Sequence, residues 1–344
     1  MKIRTAILGY GRSGSTLHAN PLAELKDDFA VVAVCDPAPQ AQKNARDRFG
    51  CAIYDDYRKM LRAENLDLVV IVSRSDQHCR MACDCLRGGV HVLVTKPWAS
   101  NAAEARRMIE AARRSGKMLL PWLPARWGCD LVRLKELVAS GAIGKVFLVR
   151  RREFTVGIRF DWQTKKEYSG GYLLNWGPHI VDQAVQLIGE DVKTVYGQLR
   201  QVINPGDAED NFMAILTTVS GIILACEYSI AADQLPNWVV QGDRGTIFVK
   251  DKFVEIHQFE YPANLDSASY GNQPVVKVTR EEFNGSHPLK MSNRYGDPFV
   301  IYSEIARALR GQCAYPVTVE SALYLTRILD AIRASQAQGR VVRL

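Results

Sequence analysis

Along the first third of the chain, short and nearly unbroken apolar runs alternate with stretches whose apolar positions recur every three to four residues. Residues 3–8, 31–35, 68–72, 90–94 and 118–120 have the first character, and 38–49, 78–87 and 102–115 have the second. Runs that are apolar on both faces, separated by amphipathic helices, predict a doubly wound parallel sheet covered on both sides. After the Pro121-Trp-Leu-Pro124 segment the pattern changes. A helix is predicted over 130–140, a strand over 146–154 and a helix over 176–188. Strands then follow one another over 194–202, 211–218, 221–230, 238–240 and 246–254 with no helix between them. That succession predicts a large open sheet, mostly antiparallel, and helical patterns over 298–310 and 319–335 close the chain. The expected class is therefore α/β plus α+β, with one domain over residues 1–122 and a second over 123–344.

Composition changes this picture little. A chain of 344 residues suits two domains, and 47% apolar with 24% charged residues can bury full cores, which excludes disorder as the general state. The opening MKIRTAILGYG enters a strand directly, without a secretory h-region, and no apolar run approaches bilayer length. A cytoplasmic protein with no membrane partner is expected. Eight cysteines then read as reduced thiols. Cys79, Cys83 and Cys85 crowd one stretch, but without the paired spacing of a zinc site, so they are read as small buried helix residues and no metal is expected. The net charge of +7 is scattered rather than gathered into a nucleic-acid-binding module, and no nucleic-acid partner is expected.

Gly9-Tyr10-Gly11-Arg12-Ser13-Gly14 lies between the first strand and the helix that follows it. In that place the first glycine permits a tight turn, the second admits a pyrophosphate to the backbone, and the third lets helix and strand pack closely. Asp36 ends the second strand, about 20 residues further on, where a carboxylate that accepts from an adenosine ribose belongs. A helix cap is the plainer role for it. The combination predicts a Rossmann domain holding NAD; Lys43 and Arg46 lie near Asp36, which leaves NADP open. Ser73, Arg74 and His78 follow the fourth strand, and Thr95 and Lys96 follow the fifth, at the sheet edge where the nicotinamide half would lie. Lys96 precedes Pro97, a residue able to hold a fixed cis turn. A lysine there is otherwise a solvated terminal charge. His18 falls in the first helix and is read as structural.

The glycine turn, Asp36, the Lys96-Pro97 pair and Asn175-Trp-Gly-Pro-His179-Ile-Val-Asp182 together resemble the Gfo/Idh/MocA oxidoreductase family. The likeness extends over Ser140-Gly-Ala-Ile-Gly-Lys145 and the closing segment from Tyr315. Arg126-Trp127, Gly177 to Gln183 and Val240-Gln-Gly-Asp-Arg-Gly245 look most like the branch containing scyllo-inositol dehydrogenases. The resemblance implies a catalytic lysine and histidine, carried over here to Lys96 and His179, with Asn175 orienting His179 or the substrate. Two positions depart from the family pattern: Thr95 stands where Glu is usual, and Asn175 where Asp is usual. The implied reaction interconverts a secondary alcohol and a ketone on a sugar, sugar derivative or inositol. Arg126, Trp127, Trp162, Tyr168, Asn175 and His179 are the candidate substrate contacts, though the polar and aromatic ones suit packing equally well. Two alternatives accompany this reading, an NAD-assisted glycoside-cleaving enzyme and a cofactor-binding regulator without catalysis. A homodimer or homotetramer is expected, formed through the second sheet.

Overall fold

The computed structural model describes residues 1–233, 235–262, 273–283 and 293–344. They form two compact units. The first gathers Met1–Pro124, Lys165–Asn175 and Asp297–Asp330, and the second Ala125–Thr164, Trp176–Gly296 and Ala331–Leu344. Each is built from stretches far apart in the chain, an organisation that a single linear boundary does not express.

The first unit contains a six-stranded parallel sheet of β1 (Ile3–Leu8), β2 (Phe29–Cys35), β3 (Ala52–Tyr54), β4 (Leu68–Ile71), β5 (His91–Val94) and β6 (Leu119–Pro121). Its order is β3-β2-β1-β4-β5-β6, with every neighbouring pair parallel. Helices Pro39–Phe49, Tyr57–Ala63, His78–Arg87 and Ala102–Ser115 supply the crossovers, which is why a strand such as Leu68–Ile71 is buried at all four positions. The strand order reverses between β1 and β4. A crevice therefore opens beyond the carboxyl ends of these two strands, the usual ligand position in such a sheet. Strand β3 and helix Tyr57–Ala63 are additions to the predicted pattern, both too short to show a period.

The second unit contains a nine-stranded sheet of β7 (Val146–Phe154), β8 (Val192–Arg200), β9 (Asn211–Thr218), β10 (Ile223–Ser229), β11 (Trp238–Gly242), β12 (Gly245–Lys250), β13 (Phe253–Glu260), β14 (Val275–Glu282) and β15 (Val342–Arg343). The order is β14-β13-β12-β11-β7-β10-β9-β8-β15, and only β7 and β10 pair in parallel. The expected single strand over 246–254 is instead a hairpin of β12 and β13. Asp251, at φ 51°, adopts the left-handed conformation that turns the chain between them. Val149, Leu216, Leu224 and Cys226 are buried on the inner face. Helices Cys129–Ala139 and Tyr172–Ile188 lie over that face: Trp238 Nε1 donates to Asp130 Oδ2 at 2.8 Å, and Arg151 Nε to Gln183 Oε1 at 2.8 Å. Such pairing is what allows Arg151 to be fully buried. The Tyr172–Ile188 helix starts one turn before the predicted 176, carrying Pro178 in its interior. Proline usually marks a first turn, which explains the late prediction.

Candidate active site

The glycine turn is shaped by what it excludes. At Gly9, φ is +94°, and an added Cβ would lie 2.8 Å from the Val72 carbonyl oxygen. At Gly14 an added Cβ would lie 2.1 Å from the Gly9 carbonyl oxygen. No other residue fits either place. Gly11 differs, because a Cβ there meets nothing within 4 Å, so the turn is open on that side beside the start of the Gly14–His18 π-helix. A turn that is closed at its ends and open at its middle suits a pyrophosphate. Asp36 Oδ2 accepts the Tyr10 N–H at 2.7 Å, and Oδ1 accepts the Ala38 N–H at 2.8 Å. Each carboxylate oxygen keeps a further lone pair for a ribose hydroxyl. Both expected roles, cap and ribose acceptor, are thus chemically compatible. The Tyr10 ring is buried edge-on to Phe49, Arg12 is exposed, and Ser13 is half-buried.

The loops after β4 and β5 are tied together. His78 is buried with Nδ1 2.8 Å from the Pro97 carbonyl oxygen and Nε2 2.9 Å from that of Ser73. Desolvation lowers its pKa, against the raising effect of those two contacts. The Lys96-Pro97 bond is cis, and the Thr95 N–H bonds the Ile71 carbonyl at 3.0 Å. Lys96 Nζ donates to the backbone oxygen of Asn175 at 2.9 Å and to its Oδ1 at 2.5 Å. The same 165–175 segment brings the Tyr168 ring under the Arg74 guanidinium, 4.0 Å away, while Arg74 also pairs with Asp76. The 165–175 segment thus meets both loops of the first unit, Asn175 at Lys96 and Tyr168 at Arg74. His18 is confirmed as a core residue: it is fully buried, bonds the Tyr302 hydroxyl at 2.8 Å, and is pushed down to about 3 by desolvation.

In the second unit His179 sits one helical turn beyond Asn175 and is buried among aromatic rings. Trp176 lies edge-on at 5.7 Å and Tyr295 at 5.2 Å, and Trp176 stacks on Tyr228 at 5.2 Å. Tyr295 donates to Glu153 Oε2 at 2.6 Å, and burial pushes its hydroxyl pKa upward. Arg126, at the turn Pro124–Trp127, forms a two-bond pair with buried Asp182, 2.8 and 2.9 Å long. Asp182 follows His179 on the same helix, so this pair helps to seat it. Trp162 opens the short 3-10 helix Trp162–Thr164, and no hydrogen bond or ring contact among the described residues joins it to the aromatic cluster.

An oxidoreductase family described as having an NAD-binding Rossmann fold matches residues 3–121, and the GFO/IDH/MocA C-terminal domain matches residues 131–248. The chain belongs to the Gfo/Idh/MocA family. Membership makes it an NAD(P)-dependent oxidoreductase whose first unit is an NAD-binding fold. The family relatives include the scyllo-inositol 2-dehydrogenase (NADP(+)) IolW of Bacillus subtilis, 24% identical over 99% of this chain and 96% of that protein. The D-glucoside 3-dehydrogenase of Escherichia coli is 32% identical over 54% of each chain. Among solved structures, an NAD-binding protein from Listeria innocua superposes with a TM-score of 0.84 at 25% identity, covering 100% of this chain and 97% of that one. The WlbA dehydrogenase from Chromobacterium violaceum, solved with NADH and UDP-GlcNAcA, has the same fold, with a TM-score of 0.81, 22% identity and coverage of 100% and 96%.

Asn175, expected to orient His179 or the substrate, presents its amide oxygen to Lys96. Trp176, Tyr228 and Tyr295, around His179, were not foreseen. Trp176 could have been found from its place between Asn175 and His179. Tyr228 and Tyr295 carry no local signal, since they come from a strand and a distant loop.

Proposed function

We propose that this member of the family interconverts a secondary alcohol and a ketone on a sugar, sugar derivative or inositol, with Lys96 and His179 moving the proton. The observation that carries the reading is the double hydrogen bond from Lys96 Nζ to Asn175, at the carboxyl edge of the NAD-binding sheet. NAD, when bound, supplies the hydride acceptor. Gly9, Gly11 and Gly14 would receive its pyrophosphate and Asp36 its ribose, with Tyr10, Arg12, Ser13, Ser73, Arg74, His78 and Thr95 shaping that half. Lys96, deprotonated, takes the proton of the substrate hydroxyl as the carbon is oxidised, and returns it in the reductive direction. His179 shares this proton, and Asn175 fixes the direction in which the Lys96 amine points. The rings around His179 offer flat apolar faces to the C–H side of a polyol, and Arg126, Trp127, Trp162 and Tyr168 complete the proposed substrate contacts.

NAD is preferred over NADP because a carboxylate at Asp36 repels a 2′-phosphate. The cofactor role goes to residues 1–122 and the substrate and self-association roles to 123–344. For self-association into a homodimer or homotetramer, support comes from Met213, Ile215 and Ile223, partly exposed apolar side chains on neighbouring strands β9 and β10. A cytoplasmic location accords with eight unpaired thiols. Among the described residues, no helix is long and apolar enough to cross a membrane.

The test is absorbance of the NADH band with purified protein, NAD or NADP, and a panel of inositols, free sugars and glycosides. Reduction with one polyol class, lost in Lys96→Ala, is the expected result. Cofactor binding with no reduction by any substrate, in either direction, would overturn the dehydrogenase reading. Glycoside cleavage without net NADH would replace it with the glycoside-cleaving one.

A further inference from the structure

The Lys165–Asn175 segment of the first unit is fastened at two neighbouring residues. Its 3-10 turn, Lys166–Tyr168, ends at Ser169, whose φ of 53° is left-handed. A serine in that conformation carries a cost that glycine would avoid, and it persists only where its surroundings hold it. The Ser100 hydroxyl does so, donating to the Ser169 hydroxyl at 2.8 Å. Ser100 is buried in the stretch after β5, and its own N–H donates to Glu104 Oε2 at 3.1 Å. One residue earlier, the Tyr168 ring lies 4.0 Å from the Arg74 guanidinium. Arg74 Nε and Nη2 each donate to the Asp76 carboxylate at 3.2 Å, which sets the plane of the guanidinium against the ring. Beyond these two pins come Gly170 and Gly171, the latter at φ 101°, and then the helix Tyr172–Ile188, whose first turn carries Asn175. A pair of glycines resists rotation weakly. With residues 168 and 169 released, the turn bearing Asn175 can drift, and both oxygen acceptors of Lys96 Nζ drift with it.

We propose that Arg74 with Tyr168, and Ser100 with Ser169, form a clasp that positions Asn175 against Lys96. These four are positioning residues, acting on the Lys96 amine through the segment they hold. The consequence for turnover rests on the reading of Lys96 as the group that moves the proton; the clasp itself does not. Its chemistry separates it from plain packing. A side chain that only fills space at 168 can be replaced by another apolar one of similar size, whereas the clasp requires a ring face for the guanidinium. Phenylalanine supplies that face and leucine does not. At 169, glycine takes the left-handed conformation readily but lacks the hydroxyl that Ser100 holds.

The experiment treats the full-length chain with acetic anhydride and follows acetylation of Lys96 by mass spectrometry, with exposed Lys26 as the internal reference. To be acylated, the Lys96 amine must shed a proton and turn away from its two acceptors, so a loosened clasp speeds the reaction. Relative to Lys26, Lys96 is labelled severalfold faster in Tyr168→Leu and Arg74→Gln, while Tyr168→Phe keeps the wild-type labelling rate. Ser169→Gly also speeds Lys96, without lowering the unfolding midpoint. With any polyol that reduces NAD, kcat falls about tenfold in Tyr168→Leu, and Tyr168→Phe recovers most of that loss. Wild-type Lys96 labelling in both Tyr168→Leu and Ser169→Gly overturns the clasp. So does labelling in Tyr168→Phe as fast as in Tyr168→Leu, because the hydroxyl and not the ring face would then be the tie. Full turnover in Lys96→Ala is a separate failure: it overturns the catalytic reading of Lys96, while the labelling rates still decide the clasp.

Discussion

The two units build their candidate sites by different means. In the first, the decisive surface is backbone, a turn in which Gly9 and Gly14 leave no room for a side chain while Gly11 stands open. In the second it is side chains, with Trp176, Tyr228 and Tyr295 gathered about His179, and Asp182 of the same helix paired with Arg126. A backbone site restricts residue type at fixed spacing, whereas a side-chain site can be assembled from many residues in many places. The first kind can be read from a sequence; the second is visible only after folding.

The strongest way to break this contrast is to separate chemistry from cofactor binding. Lys96→Ala and His179→Ala are each expected to lower turnover by about 10²–10⁴-fold, with NAD affinity by fluorescence titration unchanged. A loss of NAD affinity in His179→Ala would show that the aromatic region also holds the cofactor. Gly14→Ala should destabilise the fold by about 3 kcal/mol in denaturant titration, since its Cβ would meet backbone 2.1 Å away. Gly11→Ala, with open space around it, should leave stability unchanged and weaken only NAD binding.

A smaller effect marks the core beneath the turn. His18 is held neutral, at about 3 against an ordinary 6.5. Above pH 6.5 neither state is protonated and the residue costs nothing. Below it the unfolded chain takes up the proton first, so stability falls with pH by up to about 1.4 kcal/mol per unit until about pH 3. Denaturant titrations at pH 7 and pH 5 should differ by about 2 kcal/mol more in the wild type than in His18→Gln. Smallest of all, Asp36→Ala should reduce the preference for NAD over NADP by about tenfold, measured as the ratio of kcat/KM values.

Much of the first unit was legible because its strands are buried on both faces and its glycines are sterically required. Strand β3, of three residues, is shorter than any periodic window. β14 was missed for another reason: seven of its eight positions are exposed, so it shows no alternation of apolar and polar residues. The hairpin at Asp251 was read as one strand because apolar residues resume directly after its two-residue turn. In the site, Asn175 is expected to orient His179 or the substrate and its amide oxygen accepts from Lys96, while Arg126, expected at the substrate, pairs with Asp182. Partners of that kind depend on tertiary placement, which spacing along the chain does not encode.

The double acceptance by Asp36 carries a lesson for redesign. Its carboxylate receives the amides of Tyr10 and Ala38 as well as facing the place proposed for the ribose. Under that proposal, cofactor preference and the rigidity of the glycine turn are vested in the same two oxygen atoms. An engineer who replaces Asp36 to admit a 2′-phosphate strips two backbone amides of their acceptor and loosens the turn that must grip the pyrophosphate. The workable route to an NADP-using variant keeps the carboxylate and adds a cation after Ala38, accepting a trade-off between tightness and selectivity.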